Sequence, residues 1–147
     1  MKFNSDQERN DVIARLTLIT LAIVISINLI IMLAGYFISQ NMSIGQAANA
    51  KMLRNILLLL TMGELAAIYV VKRSLMKRLD NIALYTPEIY NQLHTINIVI
   101  AALCTSISIY GLVALILGNK YEELMFFVAL SLIGYQIFRL RARDFER

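Results

Sequence analysis

The chain has 147 residues and a formal net charge of +4, with 59% hydrophobic and only 16% charged residues, against about 45–50% and 25% in soluble domains. The apolar excess lies in four blocks separated by polar punctuation, and a bilayer-crossing helix needs about 20 apolar residues, so what remains is too little for a separate soluble domain. One cysteine excludes a disulfide framework, no metal-ligand spacing is present, and the basic residues gather at block ends, where membrane orientation explains them without nucleic acid.

Residues 1–15, MKFNSDQERNDVIAR, are polar and mixed in charge. They do not read as a signal peptide, because the charged leader is long and the apolar run behind it exceeds an h-region. A short interfacial helix from Asp6 to Asp11 is expected to run into the first span, residues 16–38, which holds 23 residues and no charge. Asn28 is its one strongly polar member and offers an amide to a facing helix. Ala34 and Gly35 let a neighbouring backbone come close.

Residues 39–54 form a polar connection with room for a short surface helix. The second span, 55–71, reads NILLLLTMGELAAIYVV and carries the only charge inside any apolar block, Glu64. A charge at the bilayer midplane costs at least ~2.5 kcal/mol on insertion scales. A proton, a partner cation, hydroxyl donors or water must therefore compensate it. Gly63 and Ala67 have small-xxx-small spacing, which suits close helix packing.

Beyond Val71 the helical pattern continues without a breaker. Leu75, Leu79 and Ile82 extend an apolar stripe, while Lys72, Arg73, Lys77 and Arg78 occupy other faces and form a surface for anionic lipid or a partner. Thr86-Pro87-Glu88 has the form of a helix start, with a hydroxyl cap, proline at the first helical position and an acid in the first turn. The next helix is expected to pass through Ile89, Leu93 and His94 into the third span, 95–117, so that spans two and three form a long hairpin with its tip in water. His94 at the mouth of that span is a polar cap or a pH-sensing group. The third span is the richest in hydroxyls, with Thr105, Ser106, Ser108 and Tyr110 beside Asn97 and Cys104, and it offers Ala101 and Ala102 for packing. Cys104 reads as a small packed apolar residue.

Gly118-Asn119-Lys120 is a turn signal. The fourth span, 124–138, is only 15 residues long, and the basic, amphipathic tail FRLRARDFER is expected to carry its helix onward into water. Lys and Arg number three before span one, four between spans two and three, and four after span four, against two and one in the opposite connections. The positive-inside rule then places both termini and the hairpin tip in the cytoplasm. The expected fold is an all-α integral membrane four-helix bundle in one domain, with a bacterial inner membrane as its setting.

Glu64-Leu65-Ala66-Ala67-Ile68-Tyr69 resembles the ion-carrying helix of rotary-ATPase proteolipids, which has a glutamate five residues before a tyrosine. Residues 101–112 are similar, with Thr105 where the acid would stand. The resemblance implies an ion site at Glu64 but covers about a dozen residues in each case. The glycine-rich partner helix of that family is missing, and the chain is not assigned to it.

Two readings of Glu64 follow. It is a proton or cation site, or it is a neutral carboxyl bonded to Thr105, Ser106 or Asn28. No nucleophile triad, phosphate loop or metal cluster points to an enzyme, and no cofactor is implied. The expected function is contact within the membrane: an accessory subunit of a complex, or an immunity or exclusion factor, whose partner is another membrane protein or further copies of itself. The alternative is an oligomeric ion- or proton-conducting assembly, a pore-forming lysis protein included.

Overall fold

A computed structural model describes residues 6–41, 49–80, 87–118 and 120–141. The described chain is built from α1 (Asp6–Asn41), α2 (Ala50–Asp80), α3 (Pro87–Ile116) and α4 (Tyr121–Phe138). All four helices are long and apolar enough to cross a membrane, and the chain is compatible with a multi-pass membrane protein. At 1.5 Å per residue, α2 and α3 are each about 45 Å long, some 15 Å more than the hydrocarbon core of about 30 Å. The shortest helix, α4, has 18 residues and reaches about 27 Å.

α3 is the axis of the bundle. It packs most extensively against α4, then against α1 and α2, while α1 also meets α4 and α2 only brushes α4. This arrangement follows from where each helix is small. An added Cβ at Gly111 on α3 would meet Phe127 Cβ at 2.7 Å and the Leu124 backbone at 3.2 Å, both on α4. At Gly35 on α1 it would meet a Leu124 methyl at 2.1 Å, so α1 closes on α4 at the site expected to admit a neighbour. At Gly134 on α4 the nearest atom is a Leu65 methyl of α2, at 3.1 Å.

The connection from α3 to α4 is tight. Leu117 and Gly118 donate their N–H groups to the Val113 and Leu115 carbonyls, and Gly118 has φ 99, a left-handed conformation open to glycine without a Cβ penalty. Glu122 and Glu123 lie in the first turn of α4, where acids meet the positive end of the helix dipole. On the second side of that helix start, Glu123 Oε1 accepts a hydrogen bond from Arg54 on α2 at 3.0 Å.

The expected continuation of the last helix into water is not found. α4 stops at Phe138, and Arg139 turns out with φ −51 and ψ 152. The cause is Leu140, 2% exposed and packed in the largest apolar cluster with Ile13, Leu16, Ile96 and Ile100. A continued helix would not hold it there. Its carbonyl accepts the Thr17 hydroxyl at 3.5 Å, and Lys72 Nζ donates to the Arg139 carbonyl at 3.4 Å.

Candidate intramembrane carboxyl site

Along α2, Leu57, Thr61, Glu64 and Ile68 follow one another at steps of four, three and four, which places them on one face of a helix. Leu57, Thr61 and Ile68 are buried, and the face they define looks toward α3. Glu64 is half-buried on it. Its Oε1 accepts a hydrogen bond from Ser106 Oγ of α3, and the same hydroxyl also reaches the Leu103 carbonyl at 2.6 Å. Tyr110, one turn further along α3, and Cys104 are neighbours of the same carboxyl. Glu64 Oε2 is buried without a hydrogen-bond partner. Among the described residues, no cation pairs with Glu64; Arg54 is taken by Glu123.

Of the three partners expected for Glu64, the structure places one beside it. Ser106 is there. Thr105 is buried but returns its hydroxyl to Ala101 O of its own helix at 2.8 Å. Asn28 belongs to a separate layer on the other side of α3. Its Oδ1 accepts from Ser108, while Nδ2 donates to Ser131 Oγ at 3.4 Å and to the Val24 carbonyl at 2.8 Å. Every hydrogen-bonding atom of the Asn28 amide is thus used, and one side chain ties α1, α3 and α4 together.

A further polar layer lies nearer the Leu140 end. Asn97 Nδ2 donates to Thr17 Oγ1 at 3.4 Å, and the Tyr135 hydroxyl donates to the Thr17 carbonyl at 3.3 Å. Sequence reasoning singled out neither Ser108, Ser131 nor Tyr135 as partners. The signal was available in the stripe Asn97, Ala101, Cys104, Ser108, Gly111, Leu115, at steps of three and four, with every member buried. Reading that stripe alone would have turned Ser108 inward and left Ser106 for α2.

The small residues of α2 are placed outward. Gly63, Ala66 and Ala67 are exposed, and an added Cβ at Gly63 would meet nothing within 4 Å. Of the alanines of α3, Ala101 is buried and Ala102 is exposed. In the basic stretch, Leu75 is half-buried against the largest apolar cluster, to which Leu93 also belongs, so the chain itself covers it. Lys72 is half-buried and bonded to Arg139 O, whereas Arg73, Lys77 and His94 are exposed. The side chains of Arg78, Leu79, Ile89 and Tyr90, together with Ile82 and Thr86, lie outside the described residues. No grouping of His, Cys, Asp and Glu suited to a metal ion occurs among the described residues.

No family model matches the chain, and no curated protein or solved structure matches it either.

Proposed function

We propose that this chain is a non-enzymatic multi-pass protein of a bacterial inner membrane that acts by contact with another membrane protein or with copies of itself, and that α2 presents the contact face. The observation that carries this reading is the placement of Gly63, Ala66 and Ala67: they form a small-residue face that no described helix of the chain covers. Elsewhere in the bundle, glycines at helix faces are filled by a neighbour's side chain. Lipid tails are as apolar as leucine, so helix association in a membrane depends on close packing and hydrogen bonds, and small faces favour it. The termini and the α2–α3 hairpin tip face the cytoplasm in this reading, on the charge asymmetry of the connections, and the exposed Arg73 and Lys77 meet anionic lipid or an acidic partner there.

Affinity purification in mild detergent tests the proposal. The expected result is co-purification of a membrane partner or of a defined oligomer, lost when Gly63 and Ala67 are both replaced by leucine. Recovery of a monomeric chain alone refutes it. For orientation, cysteines placed at Arg73 and at Lys120 in a Cys104→Ser background should label from opposite sides of the membrane.

The alternative, an ion- or proton-conducting oligomer, is favoured by one observation. Glu64 combines a half-exposed position at mid-span with a buried, unpartnered oxygen, and intramembrane acids mark ion pathways by default. Liposomes loaded with a pH-sensitive dye decide it. Equal leakage from wild type, Glu64→Gln and empty liposomes removes this reading.

A further inference from the structure

α2 and α4 both lie against α3 but barely against each other, so a furrow runs between them on the side away from α3. Its floor is the approach of Leu65 to Gly134, where an added Cβ would stand 3.1 Å from a Leu65 methyl. At about 100° per residue, Tyr69 and Arg73 follow Leu65 on the flank of α2 that turns outward beside α4. Ile133 and Ile137 take the matching flank of α4, turned away from the buried Ser131 and Tyr135. All four of these flanking side chains are exposed. The walls of the furrow are therefore apolar along the span and basic at the end where α4 stops.

The two ends of the furrow differ in charge. At one end Arg54 is answered by Glu123 of α4 at 3.0 Å. At the other, Lys72 Nζ donates to the Arg139 carbonyl at 3.4 Å and so holds Arg139 beside α2. Arg139 is half-buried, and its Nε is covered with no hydrogen-bond partner. Among the described residues, no carboxylate pairs with Arg139 or Arg73. A charge partly withdrawn from water costs free energy until a counter-charge meets it.

We propose that the α2–α4 furrow is a site for an anionic phospholipid, whose phosphate bridges Arg73 and Arg139 and whose acyl chain lies along Tyr69, Ile133 and Ile137. Arginine suits this role because its planar fork meets phosphate oxygens in pairs. An apolar wall that runs directly into a basic end fits a lipid better than an acidic protein surface, which would meet the charges alone. The proposal deepens the reading of Arg73 given above and rests on it, choosing lipid as the counterpart. It is independent of the contact face, because Gly63 and Ala67 lie across α2 from Leu65.

Native mass spectrometry of the full chain, released from detergent with added lipid, tests it. Dioleoyl phosphatidylglycerol should bind tighter than dioleoyl phosphatidylcholine. Glycerol phosphate, which keeps the charge but has no chains, should bind far more weakly than either effect requires. A basic residue near a membrane surface contributes about fivefold in affinity for anionic lipid. Arg73→Gln should thus weaken phosphatidylglycerol about fivefold, and Arg73→Gln with Arg139→Gln about thirtyfold. Two controls should change nothing: Arg15→Gln, exposed on α1 at the same end of the bundle, and Gly63→Leu with Ala67→Leu, which tests the contact reading. Equal affinity for the two lipids, a loss in either control equal to that in Arg73→Gln, or glycerol phosphate bound as tightly as the lipid overturns the proposal. So does an unchanged lipid affinity in the arginine pair with loss of a co-purified protein, which would assign the basic end to an acidic partner. Should the double variant fail to fold, the exposed Arg73→Gln alone decides it.

Discussion

Gly111→Ala tests whether the α3–α4 interface is limited by backbone and not by adjustable side chains. The new methyl would stand 2.7 Å from Phe127 Cβ and 3.2 Å from Leu124 Cα, where ordinary contact begins at 3.4 Å. A Cβ and a Cα move only with their backbone, so no rotamer change on α4 relieves either contact. The helix must retreat by roughly 0.7 Å along its most extensive interface, loosening Leu124 and Phe127, which are both fully buried. Overpacking of this kind costs about 1–3 kcal/mol. Alanine returns up to ~1 kcal/mol through helix propensity, and the net expectation is a loss of about 0–2 kcal/mol. Gly63→Ala supplies the control, since it gains the same propensity and meets no atom within 4 Å. Reversible unfolding of both variants in one detergent measures the difference. A Gly111→Ala protein at least as stable as Gly63→Ala would refute the reasoning.

Asn28→Leu removes the amide that binds Ser108 and Ser131; interhelical hydrogen bonds in membranes average about 0.6 kcal/mol and reach about 1.7, so the same unfolding assay should show a loss of about 1–2 kcal/mol. Leu140→Ala should cost about 2 kcal/mol, the lower end for a buried leucine, because the residue is 2% exposed although it lies beyond the last helix; a loss below about 0.5 kcal/mol would mean that the segment after Phe138 is not docked. A double-mutant cycle on Arg54 and Glu123, 40% and 26% exposed, should give a coupling of about 0.2–1 kcal/mol that shrinks as salt is raised.

The four helices were legible because the apolar blocks, the short fourth one included, are separated by breaks that carry recognised signals. Pro87 opens α3 and Gly118 closes the turn into α4, as their backbone chemistry requires. Ser106 was legible only as one of three candidates. Glu64 on α2 meets whichever hydroxyl of α3 faces it, and Ser106, Thr105 and Ser108 are separated by rotations that composition does not reveal. The rotation is set by Gly111 and Ala101, which turn the small stripe of α3 toward α1 and α4 and carry Ser108 with it. Leu140 was missed for a different reason. A basic, amphipathic tail fits a continuing helix equally well, and only the apolar site left open between α1 and α3 draws Leu140 back against the bundle.

The polar contacts divide the bundle unequally. α1, α3 and α4 share two buried layers, one around Asn28 and one around Thr17 and Asn97, and glycines bring each pair close. Among the described residues, α2 has no buried polar layer of its own. Its polar ties are spread along its length: Arg54 to Glu123 at one end, Glu64 to Ser106 in the middle, Lys72 to the Arg139 carbonyl at the other. Removal of apolar surface from water does not hold α2 against α3 in a bilayer, where lipid tails are as apolar as leucine, so van der Waals packing and hydrogen bonds do so. The terminal ties are partly exposed, and such contacts contribute little. The tie from Ser106 to Glu64 is the one of the three that joins the apolar stretches of the two helices, and interhelical hydrogen bonds in membranes average about 0.6 kcal/mol. Glu64→Leu should therefore loosen α2 selectively while leaving the α1–α3–α4 layers intact.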